Sequence, residues 1–185
     1  MTEQKNKNKY LAAVVLQVVI IIFIVIYKLL IMRGGSEIIL HIKPVDPRSP
    51  LRGDYITFDY DISSIPYYLL SGDNIYNNDQ VFVLLNQTGK YWIVDRVQKI
   101  RPVDQEQIFL KAVVVSGGVN PNLKQYPNDR YNPITVQYGI EEYFIPEGKG
   151  GTLPRNMEGV SAKVLVNENG QAQLKQIFIG DRPWP

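Results

Sequence analysis

Cysteine is absent from this sequence of 185 residues, and histidine occurs only once, at His41. Without cysteine the chain forms no disulfide and offers no thiol for a lipid to be attached to. A site for zinc or another transition metal lacks its usual donors. A Ser-His-Asp triad would depend on His41, which we interpret instead as a half-exposed residue of a strand. No catalytic residue, metal or cofactor is therefore predicted.

A broad excess of positive charge is also missing. The net charge is +2, but residues 1–32 hold four lysines and one glutamate, whereas the rest of the chain holds sixteen basic and seventeen acidic residues. The basic excess therefore belongs to the N-terminal segment. Since binding to nucleic acid needs an extended cationic face, no nucleic-acid partner is predicted.

One long apolar run is present near the N-terminus. Residues 11–32 read LAAVVLQVVIIIFIVIYKLLIM and carry one charge, Lys28. A helix of this length extends about 33 Å, which matches the roughly 30 Å hydrocarbon core of a bilayer. The run is longer than the core of a cleaved signal peptide, about 7–15 residues, and no small-x-small site follows it. We predict an uncleaved transmembrane anchor at 11–32, with the lipid bilayer as a partner.

The charges on the two sides of this run predict its orientation. Three lysines lie within residues 1–10, whereas only Arg33 follows the run closely. Positively charged flanks tend to stay in the cytoplasm. Residues 1–10 are therefore expected to form a cytoplasmic tail and residues 33–185 an exported domain. The predicted location is the cell membrane, with a single pass.

The exported domain has the sequence pattern of an all-β fold. Its apolar segments are rich in Val, Ile, Tyr and Phe, and most alternate polar with apolar residues. Turn sequences separate them, and Asn169-Gly170 predicts a terminal β-hairpin. Strands are predicted at 37–43, 55–62, 80–85, 91–100, 107–115, 134–138, 160–166 and 171–179. We predict an antiparallel sandwich or a partly open barrel, preceded by one transmembrane helix.

Side-chain spacing gives one prediction about the core. Ile56, Phe58, Tyr60 and Ile62 alternate along the predicted strand at 55–62. Alternate residues of a strand point to the same face. These four side chains are therefore expected to face the apolar core.

Three other segments are not read as strands. Ile140, Tyr143 and Phe144 lie at helical spacing, which predicts one turn of helix packed on the β-domain. Residues 64–78 are expected to hold a helical turn or a loop. Residues 117–133 are rich in Pro and Asn and predict a long surface loop.

Two motifs stand out within the domain. Residues 46–62 read DPRSPLRGDYITFDYDI, and residues 138–151 read YGIEEYFIPEGKGG. In the first, three prolines from 44 to 50 stiffen the approach and Gly53 permits a tight turn before the strand. In the second, the glycine-rich end lacks the spacing and the Ser or Thr of a phosphate-binding loop. By themselves, these residue types favour a turn and a glycine-rich loop.

The first motif also resembles a family signature. The string Gly53-Asp54-Tyr55-x-x-Phe58-x-Tyr60 resembles the signature of the bacterial GDYXXLXY family, with Phe58 where leucine is usual. The block YGIEEYFIPEGKG is similar to the second recurring block of that family, and the resemblance covers the anchor and nearly all of the exported domain. It implies a membrane-anchored bacterial protein without an established activity. Because some members are associated with multi-spanning membrane proteins, it also implies a partner of that class.

If the two motifs meet in the folded domain, their charged and tyrosine residues would line one binding surface. The residues predicted to bind are Arg48, Arg52, Asp54, Tyr55, Tyr60, Tyr138, Glu141, Glu147 and Lys149. The alternative is that the motifs only pack against each other and close the barrel. The favoured function is binding to, or assembly with, a membrane protein.

An exported hydrolase is the alternative function. The layout of an anchor, a β-domain and residues 91–97 resembles that of signal peptidases, which use a Ser nucleophile and a Lys base. Asp95 occupies the position of that Lys and cannot act as an amine base. A hydrolase with a carboxylate pair stays open, because no spacing selects a pair among the acids of the motifs. These acids are Asp54, Asp59, Asp61, Glu141, Glu142 and Glu147.

Overall fold

An N-terminal helix precedes a domain of antiparallel sheets, which confirms the all-β class. The computed structural model describes residues 2–33, 35–43, 55–71, 74–104, 107–118, 133–144, 154 and 158–184, with side chains except at 2–8, 28–33 and Tyr55. The chain divides into two compact units, Met1–Gly35 and Ser36–Pro185.

The first unit is the helix α1, Thr2–Arg33, which includes most of the residues expected to form a tail. Its segment Lys9–Tyr27 is long and apolar enough to cross a membrane, and it is the one such helix in the described part of the chain. The side chains from Leu11 to Tyr27 include many exposed Val and Ile residues. Such β-branched residues are weak helix formers in water, whereas lipid removes competing hydrogen bonds to the backbone.

The second unit is built from short strands. The strands of the described residues are β1 Ser36–Lys43, β2 Tyr55–Thr57, β3 Asp59–Tyr60, β4 Ser64–Ile65, β5 Gln80–Thr88, β6 Tyr91–Gln98, β7 Phe109–Ser116, β8 Ile134–Gln137, β9 Glu142–Phe144, β10 Val160–Val166, β11 Ala172–Ile179 and β12 Arg182–Trp184. Two 3-10 helices, Asp61–Ser63 and Tyr67–Leu69, lie between β3 and β5. The second of these lies within 64–78, where a helical turn or a loop was expected.

These strands form three sheets. One five-stranded sheet has the order β12-β11-β10-β1-β3, and the other has the order β4-β8-β7-β5-β6. The third sheet is a two-stranded ribbon of β2 and β9. Apolar residues from all three sheets form one buried core, which includes Ile56, Phe58, Tyr60 and Ile62 as predicted. In β1, β5 and β10 the residues that belong to this core are every second one, as Ile38, Leu40 and Ile42 are in β1.

The region of the two motifs departs from the sequence predictions. The strand expected at 55–62 is divided into β2, β3 and the 3-10 helix Asp61–Ser63, because the chain changes its pairing partner after Thr57. The helical turn predicted for Ile140, Tyr143 and Phe144 is wrong. The last two of these residues lie on β9, whose pairing with β2 overrides the helical spacing of three side chains.

Most of the loop expected at 117–133 lies outside the described residues. The three short strands β4, β9 and β12 were not predicted from the sequence, because segments of two or three residues show no measurable alternation. Each of them is defined only by the strand beside it. Strands this short can be recognised only from their pairing register with a neighbouring strand, and the sequence of a single segment does not contain that register.

The terminal hairpin of β10 and β11 confirms its prediction, and its turn makes a contact with β7. The Oδ1 atom of Asn167 accepts hydrogen bonds from the N–H groups of Asn169 (3.0 Å) and Gln171 (2.9 Å). Gly170 has φ +75, and its carbonyl oxygen accepts a hydrogen bond from the Lys111 N–H at 2.7 Å. A Cβ atom at Gly170 would lie 2.6 Å from the ring of Phe109. The turn is therefore fixed both by its own backbone and by β7.

Replacing Gly170 by alanine tests this contact. We expect Gly170→Ala to lower the free energy of unfolding by about 2–4 kcal/mol, because it adds a left-handed alanine and a clash with Phe109. Gly180→Ala is the matched control, since Gly180 has φ +62 but nothing within 4 Å of its Cβ position. The control is expected to cost about 1–2 kcal/mol. Equal losses in denaturant unfolding of the two variants would contradict the contact with β7.

Candidate functional site

The described parts of the two sequence motifs, residues 55–62 and 138–144, lie side by side and run antiparallel. Between the strand pairs, the Phe58 N–H donates a hydrogen bond to the Glu141 carbonyl oxygen at 2.9 Å. The paired residues are Tyr55↔Phe144, Ile56↔Tyr143 and Thr57↔Glu142 in the ribbon, and Ser64↔Thr135 and Ile65↔Ile134 between β4 and β8. Between the pair Tyr55↔Phe144 and the pair Ile65↔Ile134, the two segments contain the same number of residues. The motifs therefore keep one register although their strands belong to different sheets.

A reciprocal pair of tyrosines occupies the gap between these two strand pairs. The Tyr60 hydroxyl donates a hydrogen bond to the Ile140 carbonyl oxygen at 2.6 Å. The Tyr138 hydroxyl donates to the Ile62 carbonyl oxygen, also at 2.6 Å. In both motifs the tyrosine thus stands two residues before the carbonyl that the other tyrosine binds. We call this arrangement the tyrosine clasp.

The clasp is buried, and an acidic side chain lies beside it. Tyr60 is fully buried and Tyr138 is 8% exposed. The Tyr138 N–H donates a hydrogen bond to Oε1 of Glu141 at 2.6 Å. Burial, and secondly the charge of Glu141, raise the pKa of both tyrosines well above the ordinary value of 10.0. Both hydroxyls therefore stay protonated donors at neutral pH.

The first motif also connects the three sheets to one another. Its strand β2 pairs with β9 and its strand β3 pairs with β1 through Tyr60↔Ile42, while β4, which begins two residues after the motif, pairs with β8. Ile42 and Tyr60 are both fully buried. A segment of eleven residues, 55–65, therefore touches one strand of each sheet. The tyrosine clasp lies at its centre.

The structure places part of the predicted binding set at this junction. Tyr60 and Tyr138 form the clasp, Glu141 is half-buried beside it, and Tyr55 begins β2. The remaining five, Arg48, Arg52, Asp54, Glu147 and Lys149, lie outside the described residues. The described parts of the two motifs therefore meet, which the binding hypothesis and the alternative of mutual packing both require. Binding by these nine residues stays a prediction.

One end of the ribbon coincides with limits of the described residues. Tyr55 and Phe144 are directly paired there. Residues 44–54 lead directly into Tyr55, and residues 145–153 follow directly after Phe144. Both charged segments are thus covalently attached to adjacent ends of the same two strands. Phe144 is 76% exposed at this position.

A second polar group, which sequence reasoning did not assemble, surrounds His41. Nδ1 of His41 is buried and lies 2.9 Å from Oδ2 of Asp61, although the two atoms are not aligned as a hydrogen bond. The Tyr91 ring meets the imidazole edge-on at 5.4 Å between centroids. His41 is directly opposite Ser161 in the pairing of β1 with β10. The His41 side chain is 32% exposed, which confirms its interpretation as a half-exposed strand residue.

The arrangement of Ser161, His41 and Asp61 has the residue types of a hydrolytic triad. Directly opposed side chains of antiparallel strands lie on the same face of the sheet. Ser161 is only 2% exposed, however, so that its hydroxyl offers no open approach to a substrate carbonyl. Core residues flank His41 on β1 and Ser161 on β10, but the pairing register of the two strands was not readable from the sequence. This geometry favours a packing role for the group.

Removing the clasp hydroxyls tests its contribution to stability. We expect Tyr60→Phe and Tyr138→Phe each to lower the free energy of unfolding by about 1–3 kcal/mol, because each leaves a buried carbonyl without its donor. Tyr68→Phe, at a tyrosine that is 82% exposed, is the control and is expected to change stability by less than about 0.5 kcal/mol. Denaturant unfolding of the full chain in micelles measures all three. A clasp variant as stable as Tyr68→Phe would contradict the role of the hydroxyl.

The raised pKa of the clasp tyrosines also predicts an alkaline limit to stability. Above about pH 10, the ordinary value, the unfolded chain loses these two protons while the folded domain retains them. Stability is therefore complete below pH 10 and falls at higher pH, by up to about 1.4 kcal/mol per pH unit for each tyrosine. The Tyr60→Phe, Tyr138→Phe double variant lacks both hydroxyls. Between pH 10 and 11.5 its free energy of unfolding should therefore fall less steeply, by up to about 1.4 kcal/mol per pH unit for each of the two tyrosines removed. Parallel declines in the two proteins would show that the clasp is not responsible.

Comparison with known proteins identifies the family. The family model described as GDYXXLXY protein matches residues 17–177, a span that includes both motifs and the clasp. No curated protein and no solved structure matches the chain. The match extends over most of the sequence, from within α1 to β11. The chain therefore belongs to the GDYXXLXY protein family.

Proposed function

We propose that this chain is a single-pass protein of the cell membrane whose β-domain binds a membrane protein outside the cytoplasm. The apolar segment Lys9–Tyr27 supports the anchor, because it is long enough to span a bilayer and its side chains are exposed. So large an apolar surface is unfavourable in water. The lysines of residues 1–10 support an N-terminus in the cytoplasm.

The pairing of Tyr55 with Phe144 carries the proposal of a binding role. It attaches the segment that holds Arg48, Arg52 and Asp54 and the segment that holds Glu147 and Lys149 to adjacent strand ends. Two segments with charges of both signs thereby start from a common point. Charges of both signs suit a partner surface with complementary charges, which increases specificity and the rate of association.

The clasp supports this role by fixing the base of the proposed surface. Tyr60 and Tyr138 are buried and bind backbone carbonyls of the opposite motif. We therefore assign them a positioning role, distinct from residues that touch the partner. A rigid base reduces the conformational entropy that is lost when the two segments bind.

Phe144 supplies an apolar element at the same place. Its side chain is 76% exposed, whereas its neighbour Tyr143 is half-buried and packs near Trp184, with ring centroids 6.5 Å apart. Aromatic residues are enriched at the centres of protein interfaces. An aromatic side chain flanked by charged segments has the composition of an interface centre with a polar rim. The proposed binding surface is therefore Phe144 with the five charged residues of the two attached segments.

Site-specific photo-crosslinking in native membranes tests the proposal. A benzophenone amino acid at Phe144 is expected to give a crosslink to a membrane protein. The same amino acid at Tyr68, which is 82% exposed in the 3-10 helix Tyr67–Leu69, is the matched control and should not give that product. Identical products at the two positions, or no product at Phe144 while the protein is stably inserted, would contradict the proposal.

Charge reversal in the attached segment adds an independent measurement. Asp54→Lys should reduce the Phe144 crosslink strongly, since the loss of one interface hot spot costs about 2 kcal/mol, or roughly 30-fold in affinity. Asp181→Lys reverses an exposed acid in the turn after β11 and should leave the crosslink unchanged. A folded Asp54→Lys variant with the wild-type yield of crosslink would remove Asp54 from the binding surface.

A further inference from the structure

The connection from β6 to β7 exposes two aliphatic side chains. Residues 99–104 read KIRPVD and are here called the aliphatic loop. Ile100 is 76% exposed and Val103 is 93% exposed, although both belong to residue types that are usually buried. Between them, Arg101 adds a positive charge. Ile100, Arg101 and Val103 belong neither to the buried core nor to the contact between the two motifs.

The aliphatic loop is tethered, so that the exposure of these side chains is a property of its fixed conformation. Nε2 of Gln98 donates a hydrogen bond to the Ile100 carbonyl oxygen at 2.7 Å. Nζ of Lys99 lies 2.8 Å from Oδ2 of Asp79 and donates to the Asn74 carbonyl oxygen at 3.2 Å. The hydrogen bond from Lys99, and next that from the Tyr76 backbone, hold the pKa of Asp79 below its ordinary value. The start of the aliphatic loop is therefore held by Gln98 of β6 and by the contacts of Lys99 with Asp79 and Asn74.

Arg101 holds the middle of the aliphatic loop against the hairpin of β10 and β11. Its Nη2 atom donates a hydrogen bond to the Glu168 carbonyl oxygen at 2.9 Å. Its guanidinium also lies over the Phe109 ring, 6.0 Å from the ring centroid. Glu168 belongs to the turn that follows β10, so the aliphatic loop is placed beside that turn.

This position identifies the end of the β-domain to which the aliphatic loop belongs. Ser36, the first residue of β1, is paired with Val166, the last residue of β10. The hairpin turn with Glu168 begins directly after Val166. The aliphatic loop therefore lies at the end of the domain where β1 begins.

The chain that enters this end comes from α1. Ser36 is three residues after Arg33, the last residue of the helix, and three residues extend at most about 11 Å. If α1 spans the bilayer, as the proposed function requires, the beginning of β1 is held close to the membrane surface by the covalent chain. The aliphatic loop shares that end of the domain.

We propose that the aliphatic loop contacts the bilayer in which α1 is anchored, with Ile100 and Val103 in the headgroup region. This inference rests on the membrane anchorage in the proposed function. Exposed aliphatic side chains next to a basic residue suit the boundary between headgroups and acyl chains, where the guanidinium can meet a lipid phosphate. The occupant we assign is the lipid surface, because two side chains on one short loop offer much less area than the roughly 800 Å² per partner of a stable protein interface.

Fluorescent labels at single cysteines test the contact, since the natural chain contains no cysteine. The full chain is reconstituted in vesicles of phosphatidylcholine and phosphatidylglycerol, with an environment-sensitive label at Val103→Cys. We expect blue-shifted emission and strong quenching by a lipid with a spin label near the headgroup. Asp181→Cys is the control at the opposite end of β11, and its label is expected to report water. Ile20→Cys, within α1, reports insertion of the anchor.

The three labels separate the failure of this inference from failure of the proposed anchor. A water-like label at Ile20→Cys would show that α1 is not inserted and would contradict both proposals. A lipid-like label at Ile20→Cys together with equal, water-like labels at Val103→Cys and Asp181→Cys would overturn the loop contact alone. A label at Val103→Cys that is shielded in native membranes but not in pure lipid would assign the loop to a protein partner and also overturn the lipid contact. Replacing Ile100 by serine should shift a lipid-like Val103→Cys signal toward water.

Discussion

The tyrosine clasp is the contact on which the arrangement of the β-domain depends. Between the ribbon and the β4–β8 pair, the backbone of the first motif turns away to pair with β1 and then forms a 3-10 helix. The carbonyl groups of Ile62 and Ile140 thereby come to need donors from side chains. A buried carbonyl without a donor is costly, and a tyrosine is long enough to reach across from the opposite motif. Each motif therefore satisfies the backbone of the other.

These reciprocal hydrogen bonds give one physical reason for the presence of a tyrosine in each of the two motifs. The last tyrosine of the first motif, Tyr60, and the first tyrosine of the second motif, Tyr138, are the two donors. Phenylalanine would fill the same volume without the hydrogen bond. Phe58, at the position where the family signature has leucine, is buried in the core and makes an edge contact with Tyr60 at 6.3 Å between centroids. The contact between the motifs thus combines a buried apolar side chain at this position with two hydroxyl donors.

The sequence predicted the parts of the fold that depend on local pattern. Alternation predicted the core face from Ile56 to Ile62, and Asn169-Gly170 predicted the terminal hairpin, because both features are contained within a few consecutive residues. It did not predict β9, since the spacing of Ile140, Tyr143 and Phe144 fits a helix and only the distant β2 selects the strand. The division of 55–62 among several partners has the same origin.

The candidate site was predictable to a similar extent. The resemblance to the family singled out the two motifs, but their contact was only a hypothesis, because no single segment contains the register that joins them. The group around His41 shows the same limit, because it combines residues from β1, β10 and the 3-10 helix Asp61–Ser63. Its members became visible as neighbours only when the strand pairing was known. Side-chain chemistry was readable from the sequence, whereas its assembly was not.

The separation of the clasp partners along the chain has a consequence for biogenesis. The Tyr60 hydroxyl binds a carbonyl that lies 80 residues further along the chain, and the Ile62 carbonyl accepts from a donor 76 residues further along. Neither bond can form before the later residue has been synthesised. At a synthesis rate of about 5–20 residues per second, the first motif exists for roughly 4–16 s without the second. During that interval β2 and β4 lack their partner strands β9 and β8, and long-range β pairing is slow to form. The junction between the two motifs can therefore form only after residues 134–144 have been synthesised.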